Sequence, residues 1–369
     1  MKRIILIIVF SIVFLCPGLS LASHNRDRVL LLASYHPDYA SFYPQVEGVV
    51  AGLVEAGIAR KQFILDVEFM DTKRFPPREM VPRFKIMLEH KLSVLPPYDI
   101  VITADDNATR FAIENQRALF KNRPIVFLGV NNVDFALAQN ANPLVTGVIE
   151  AVSIDETLDL ITRIRPKTDK PPVIIADVTP SARGTLRSIL DLHPDYSKHV
   201  LNLETLTHQQ LFATLEKLPP SDNVILLSAH RDYKGSTMSY KEHISKMREV
   251  LKVPIFHLWR HNVDDGLLGG VVVSHFEQGR KAANMAGAIL NGSNITEIPV
   301  IEESPNITLI NYDVMQEFGV DPSLLPPNTT MINEPTSIYQ QYKMEINIAA
   351  ASFFLILSIL TVFLSERSD

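Results

Sequence analysis

The chain has 369 residues, of which 46% are hydrophobic and 21% are charged, and its formal net charge is −6. This composition is typical of a folded globular protein and excludes a disordered or collagen-like chain. The acidic balance gives no support for nucleic acid as a partner, because nucleic-acid-binding proteins attract phosphates with a basic surface. The one cysteine, Cys16, lies in a segment that we expect to be removed. A disulfide framework, a cysteine-based zinc site and a catalytic thiol are therefore excluded for the mature protein.

Residues 1–22 have the pattern of a secretory signal peptide. Lys2 and Arg3 precede an apolar run from Ile4 to Leu15, and Ser20-Leu21-Ala22 fits the small-x-small rule for cleavage. Two alternatives stay open, a retained N-terminal anchor and a lipoprotein processed at Cys16. The pattern predicts export of the chain.

Residues 344–364 are predicted to form a transmembrane helix. Ile346 to Leu364 is a run of 19 residues without a charge, which as a helix spans about 28 Å, roughly the thickness of a bilayer core. A buried C-terminal helix is the alternative, although the segment is apolar on all sides. With the signal peptide, this span predicts a single-pass protein of the inner membrane. Its bulk is then in the periplasm, and residues 365–369 form a cytoplasmic tail too short for an output domain.

Between these ends, short apolar runs alternate with amphipathic stretches of helical length. In the first half, the predicted strands are Arg28–Ala33, Phe63–Phe69, Asp99–Thr103 and Pro124–Val130. The predicted helices between them are Tyr43–Ala59, Pro77–Leu92 and Ala108–Phe120. Alternation of this kind predicts an α/β fold whose parallel sheet has helices on both faces.

The same pattern then starts again. The predicted strands are Pro172–Ala176, Val200–Leu203, Asn223–Ser228, Pro254–Trp259, Gly270–Ser274 and Ile307–Asn311. The predicted helices are Ser181–Leu192, Gln209–Leu218, Lys241–Leu251, Gln278–Leu290 and Tyr312–Phe318. The stretches Arg123–Asp134 and Val253–Asp264 share six of twelve residues, which indicates two lobes of similar topology. We expect lobe 1 over residues 23–145, lobe 2 over 146–262, a return segment over 263–325 and a linker over 326–343.

Three stretches resemble one known family. They are Val126–Asp134 with the following Val145–Val148, then Val173–Arg187, then Gly269–Val320. In this order they resemble the ABC-type solute-binding proteins related to tryptophan/tyrosine-binding lipoproteins, over roughly residues 28–320. The resemblance implies a two-lobed type I periplasmic-binding-protein fold. It also implies binding of a small polar solute, such as an amino acid or a carboxylate, between the lobes.

A second resemblance concerns Leu31–Tyr39, Tyr98–Asp106 and Pro335–Tyr342. These stretches are similar to the version of the fold that forms the N-terminal sensor domain of bacterial histidine kinases and diguanylate cyclases. The resemblance implies a sensor that signals through its transmembrane helix to such a partner or to a missing output domain. The alternative is the substrate-binding subunit of an ABC importer, with an ABC permease as its partner.

Ligands of open parallel sheets lie beyond the carboxyl ends of the strands, so residues at these positions are candidates for the site. In lobe 1 they are polar side chains that can hydrogen-bond a solute or pair with an ammonium group: Ser34, Tyr35, His36, Asp105, Asp106 and Asn131. Four of them also have a structural alternative: Ser34 is suited to capping the next helix, His36 to shaping its loop, Asp106 to capping the helix at Ala108 and Asn131 to capping a turn.

The corresponding candidates in lobe 2 are Asp177, Thr179, His230, Arg231, Trp259 and Arg260. Either arginine is suited to clamping a carboxylate through its planar guanidinium, or else to a surface or inter-lobe ion pair. Trp259 can stack on a ligand ring or pack in the core. We expect the lobes to close by a hinge motion through Ala141–Val148 and Asn262–Gly270.

Motifs for catalysis are absent from the sequence, which contains no G-x-S-x-G elbow, no Walker loop and no G-x-G-x-x-G run. His257 and His261 are four residues apart, but they flank a predicted strand end, which disfavours a shared metal ion. We therefore expect no enzymatic activity, no cofactor and no metal. An exported hydrolase remains the third alternative.

Overall fold

A computed structural model describes residues 26–166, 170–335 and 341–365, with side chains described up to residue 359 in the last segment. The predicted signal peptide, residues 1–22, lies outside the described residues, as do residues 366–369 of the predicted tail.

A first parallel sheet is built from the N-terminal part of the chain. Its strands are β1 (Asp27–Ala33), β2 (Phe63–Phe69), β3 (Ile100–Ala104), β4 (Ile125–Val130) and β5 (Val145–Ile149), in the spatial order β2-β1-β3-β4-β5. The intervening helices are α1 (Phe42–Glu55), α2 (Pro77–Val94), α3 (Asp105–Glu114) and α4 (Val133–Ala138). The inner strands β3 and β4 and the buried part of β1 are nearly continuous apolar runs because helices cover both faces of the sheet. The edge strand β2 instead alternates, with Asp66 and Glu68 between apolar residues.

A second sheet has seven strands in the order β12-β11-β10-β9-β8-β6-β7. Their bounds are β6 (Val173–Ala176), β7 (Val200–Asn202), β8 (Val224–Leu226), β9 (Ile255–His257), β10 (Gly269–Val272), β11 (Ile307–Asn311) and β12 (Thr330–Ile332). The helices that follow β5 in the chain are α5 (Ile154–Ile164), α6 (Pro180–Leu192), α7 (His208–Leu215), α8 (Tyr240–Val250), α9 (His275–Leu290), α10 (Tyr312–Glu317) and α11 (Lys343–Ser365). The described pairings among β6 to β9 are parallel.

The chain divides into two compact units. The first contains the described residues up to Ile154 together with Trp259–His261 and Val271–Ile307. The second contains Asp155–Leu258, Asn262–Gly270 and the described residues from Thr308 onward. The alternation of apolar runs and helices thus predicted an α/β architecture with two parallel sheets, as observed. The first unit extends beyond the boundary at residue 145 that the sequence suggested.

Helix α9 belongs to the first unit although it follows most of the second in the chain. It packs against α1, and glycines at the contact let the two backbones approach closely. A Cβ atom at Gly48 or Gly52 would meet backbone atoms of Phe276 and Arg280, and one at Gly279 would meet the backbone of Gln45. The two helices together cover one face of the first sheet.

One helix and one strand of the first unit differ from the prediction. Helix α3 begins at Asp105 and ends at Glu114, rather than spanning Ala108–Phe120. It begins early because Asp105 adopts a left-handed φ of 69°, which turns the chain from β3 directly into the helix. Strand β5 was not predicted. Its residues were instead interpreted as part of a hinge, whereas they form the fifth strand of the first sheet.

The C-terminal part also differs from the expectation. Residues Thr330–Ile332, within the predicted linker, form β12 and pair in parallel with β11. The predicted transmembrane segment lies within helix α11. Among the described residues, however, no helix combines the length and the apolar character needed to cross a membrane.

Candidate functional site

The carboxyl ends of β3, β4 and β5 bring three acidic side chains of the first unit together. Asp105 and Asp106 follow β3, and Glu150 follows β5. We call these three residues the acid cluster. Glu150 is only 7% exposed and Asp105 is also buried, so two of the three carboxyl groups are largely shielded from bulk water.

Asn131, which follows β4, holds two members of the acid cluster. Its side-chain Nδ2 donates to Glu150 Oε1 at 3.0 Å, and its backbone N donates to Asp106 Oδ2 at 3.3 Å. The second oxygen of each acid, Glu150 Oε2 and Asp106 Oδ1, is buried and has no hydrogen-bond partner within the described part of the chain. Each carboxylate therefore keeps one buried oxygen that can still accept a hydrogen bond. Because buried polar atoms normally have a hydrogen-bond partner, these two oxygens are suited to a donor from a ligand.

Asp105 is the most strongly perturbed acid of the cluster. Burial raises its pKa well above the usual range, and the charge of Glu150 raises it further, whereas Lys73 acts in the opposite direction. The cluster therefore combines a carboxyl group that tends to keep its proton with two others that present unpaired oxygens.

Aromatic rings and one cation lie beside the acids. The rings of Tyr35 and Tyr39 are 4.6 Å apart between centroids, and Lys73 Nζ lies 4.6 Å from the Tyr35 centroid. Burial raises the pKa of Tyr35, and the charge of Asp105 adds to this effect. The Tyr35 hydroxyl therefore remains a hydrogen-bond donor at neutral pH.

A second set of rings adjoins Glu150. His275 Nε2 lies 3.9 Å from Glu150 Oε2, and the His261 ring stacks on His275 with centroids 5.8 Å apart. Trp259 follows at 6.2 Å from His261. Burial lowers the pKa of His275, while Glu150 acts to raise it. The acid cluster is thus flanked by rings that can pack against an apolar or aromatic group.

Gln278 of α9 links the strands that carry these side chains. Its Oε1 accepts from the backbone N of Gly129 at 3.3 Å, and its Nε2 donates to the backbone oxygen of Ile149 at 3.0 Å. The same Nε2 also donates to Ser304 Oγ at 3.0 Å. The fully buried amide therefore fixes the ends of β4 and β5 against each other.

Two of the candidates predicted in the first lobe, Ser34 and His36, have their polar partners outside the acid cluster. Ser34 Oγ donates to the backbone oxygen of Ala104 at 2.7 Å and accepts from the backbone N of Ala108 at 2.9 Å. Its hydroxyl thus serves the junction of β1, β3 and α3, whereas the N-cap position of the next helix, α1, is Ser41. His36 Nδ1 lies 3.6 Å from Asp71 Oδ1, in the loop that carries Lys73.

Four candidates of the second unit meet at the ends of β6 and β8. Asp177 is their centre. Its Oδ1 accepts from the backbone N of Thr179 at 2.9 Å, and its Oδ2 accepts from Ser228 Oγ at 2.7 Å and from His230 N at 2.8 Å. The Thr179 hydroxyl and the backbone N of Arg231 donate to it as well. Both oxygens of the carboxylate thus accept hydrogen bonds from the loops that follow β6 and β8. Thr179 also caps α6.

Trp259 and Arg260 were assigned to lobe 2 from the sequence, but the structure places them in the first unit. Trp259 forms a parallel bridge with Val273, and the backbone N of Arg260 donates to the Val273 oxygen at 3.0 Å. They leave the second unit because the chain after β9 pairs with the segment that leads into α9. This places Trp259 with His261 and His275.

The second unit also contains buried histidines. The ring nitrogens of His243, which is fully buried, have no hydrogen-bond partner among the described residues. Burial lowers the pKa of His243 to about 4, and the neighbouring His208 lowers it further. Burial also lowers the pKa of His257 to about 4. Within the described part of the chain, no group of three or more histidine, cysteine or acidic side chains is arranged to hold a metal ion.

Sequence reasoning missed Glu150, Lys73, His275 and Gln278. Glu150 had a usable signal, because the apolar run Val145–Ile149 ends directly before it, as the runs ending before Asp105 and Asn131 do. For Lys73, in a loop after β2, and for the two residues on α9, the sequence carries no comparable signal.

Comparison with known proteins supports the family resemblance. Residues 38–323 match the family described as ABC transporter substrate binding protein. A tyrosine-binding protein of Clostridioides difficile (strain R20291) is 24% identical over 180 residues, which cover 47% of this chain and 49% of that protein. The chain thus spans about half the length of this curated relative.

Solved structures show the same architecture. A ligand-free, open substrate-binding protein with adhesive properties from Clostridium difficile aligns with a TM-score of 0.61 at 17% identity, covering 84% of this chain and 100% of that chain. An ABC domain from Streptococcus pneumonia in complex with L-Trp aligns with a TM-score of 0.58 at 18% identity, covering 83% of this chain and 100% of that chain. The chain therefore belongs to the ABC transporter substrate binding protein family and has the periplasmic-binding-protein fold.

Proposed function

We propose that this protein binds an aromatic amino acid and that the acid cluster holds the protonated amine of this ligand. The observation that carries the proposal is the pair of buried, unpartnered oxygens, Asp106 Oδ1 and Glu150 Oε2. An ammonium group has three N–H donors and a positive charge, so it satisfies both acceptors at once and offsets the cost of burying the acids.

The rings beside the acid cluster support an aromatic ligand. Tyr35 lies close to Asp105, and His275 adjoins Glu150, with His261 and then Trp259 following in the same row of rings. Ring-on-ring contacts add specificity to the burial of an aromatic side chain. The names of the relatives agree with this ligand class, since one is a tyrosine-binding protein and another was crystallised with L-Trp.

Delivery of the ligand to an ABC permease is the role that family membership supports. The family consists of binding proteins rather than enzymes. Export, a location at the inner membrane and signalling to a histidine kinase or a diguanylate cyclase stay predictions from the sequence. Closure of the protein around its ligand is part of the proposal, because only differential binding to a closed form can transmit occupancy.

Calorimetric titration of the full chain tests the proposal. The ligands are L-tyrosine, L-tryptophan, L-alanine and 3-(indol-3-yl)propionate, which keeps the ring and carboxylate of tryptophan but lacks the amine. We expect binding of the two aromatic amino acids and at least about tenfold weaker binding of the other two. Glu150→Gln should weaken binding of the aromatic amino acids, whereas Glu89→Gln on the exposed side of α2 should leave it unchanged. Equal affinity for tryptophan and its amine-free analogue contradicts the proposal.

A further inference from the structure

Lys73 is the one cation that acts on Asp105 from within the described part of the first unit. Its Nζ lies 4.6 Å from the centroid of the Tyr35 ring and 5.4 Å from that of Tyr39. Among the described residues, no carboxylate oxygen lies within ion-pair distance of Nζ, that is, within 4.0 Å. The ammonium group is therefore held over two aromatic faces beside the acid cluster, with donors still available.

The backbone that precedes Lys73 is held by hydrogen bonds, so the loop carries this exposed side chain to the edge of the site. Thr72 Oγ1 donates to the backbone oxygen of Ser34 at 2.7 Å and accepts from Asn107 Nδ2 at 2.9 Å. Asp71, the residue before Thr72, has a left-handed φ of 57°, and its side chain pairs with that of Arg74. These contacts tie the loop between β2 and α2 to the ends of β1 and α3.

The charge of Lys73 has opposite effects on two kinds of amine ligand. A simple amine brings a second ammonium group next to that of Lys73, and the two repel each other. An amino acid brings a carboxylate together with its ammonium group, and this carboxylate can accept hydrogen bonds from Lys73. Discrimination of this kind uses a repulsive element as well as an attractive one.

We propose that Lys73 is a specificity-determining residue, which makes the acid cluster accept an ammonium group only when a carboxylate accompanies it in the same ligand. This inference rests on the proposed function, because it assigns a selectivity to the same site. Without Lys73, three acids beside aromatic rings would form a general site for aromatic amines.

The test compares L-tyrosine with tyramine, which has the same ring and amine but no carboxylate. The dissociation constants of both ligands are measured for the full chain, for Lys73→Met, for Lys73→Arg and for the matched control Lys85→Met, which changes an exposed lysine on α2. We expect the wild type to favour tyrosine by more than about tenfold. In Lys73→Met this preference should fall at least about tenfold, with weaker tyrosine binding and stronger tyramine binding. Lys73→Arg keeps the charge and should retain the preference.

The outcomes separate the two proposals. If Lys73→Met keeps the wild-type preference for tyrosine over tyramine, the inference is overturned while the proposed function stays intact. The same holds if Lys85→Met loses this preference as much as Lys73→Met does. Failure of the wild type to bind either ligand overturns the proposed function, and the inference falls with it.

Discussion

The carboxyl group of Asp105 lies in the space that a side chain at Gly129 would need. A Cβ atom at Gly129 would be 3.1 Å from Asp105 Oδ1 and 3.5 Å from the Asp105 backbone N. Both residues also have left-handed backbones, with φ of 68° for Gly129 and 69° for Asp105. The end of β4 and the start of α3 are therefore fitted to each other, and the position of Asp105 depends on the missing side chain.

Gly129→Ala should displace Asp105 and strain the backbone of β4. We expect the variant to lose about 1–2 kcal/mol of unfolding free energy, because a side chain is strained at this φ, and to bind the amino acid ligand more weakly. Urea titration and calorimetry measure the two effects. Gly184→Ala is the matched control, since a Cβ atom there meets nothing within 4 Å. In helix α6 that change should be neutral or slightly stabilising. Equal stability of both variants would contradict the expectation.

Asn131→Ala should weaken ligand binding, because it removes the Nδ2 donor that positions Glu150, while the backbone N of residue 131 still donates to Asp106. We expect the dissociation constant to rise about tenfold, as is usual when one polar contact in a site is lost. The matched control is Asn132→Ala, which removes the cap of α4, where Asn132 Oδ1 accepts from the backbone N of Phe135 at 2.9 Å. That variant should lose about 1 kcal/mol of stability with little change in affinity. The reverse pattern would assign the site to Asn132 instead.

Asp177→Asn should destabilise the protein. The carboxylate accepts hydrogen bonds from five groups in the second unit, including those of Ser228 and His230, and an amide cannot accept them all. We expect a loss of about 1–3 kcal/mol in unfolding free energy, measured by urea titration. Asp191→Asn, an exposed position on α6, should have no effect. If Asp177→Asn kept its stability but lost ligand affinity, Asp177 would be a ligand contact, as the sequence alone suggested.

The protein should lose stability on mild acidification. Burial lowers the pKa of His243 and of His257 from 6.5 to about 4, so the unfolded chain takes up protons more readily than the folded one. The unfolding free energy is therefore fully present above about pH 6.5 and falls as the pH drops toward 4, by about 3 kcal/mol for each histidine.

Urea titrations between pH 7.5 and 4.5 test this dependence. His243→Leu should flatten the slope, whereas His90→Leu, an exposed position on α2, should leave it unchanged. The same pH slope in the wild type and in His243→Leu would show that His243 does not titrate as expected; this comparison cancels the opposite contribution of Asp105, whose pKa is raised by burial.

The sequence predicted much of the fold, because the inner strands are nearly continuous apolar runs and the edge strand β2 alternates apolar and polar residues. Strand β2 was placed with its observed bounds, Phe63–Phe69, and β1, β3 and β4 were placed within one residue. Strand β5 was missed because its run was interpreted as a crossing segment. Glu150, which follows it, was missed for the same reason.

The candidate site was predicted only in part. Tyr35, Asp105, Asp106 and Asn131 were found because they directly follow apolar runs. Lys73 comes from a loop, and His275 and Gln278 from a helix distant in the chain. Tertiary packing alone brings such residues to a site, so a local pattern cannot indicate them. Trp259 was recognised as a candidate but assigned to the wrong unit, because its placement depends on a bridge to Val273 rather than on chain order.

The glycine contact between α1 and α9 determines when the first unit can form during synthesis. Val49 and Leu53 of α1 share a core cluster with Ala282 and Ala286 of α9, and those alanines leave the ribosome only after the larger part of the second unit. Until then, one face of the first sheet lacks the helix that completes its cover. The apolar area that the sheet can bury is then too small to offset the conformational entropy lost on folding. The first unit therefore cannot complete its core until its last helix, α9, has been synthesised.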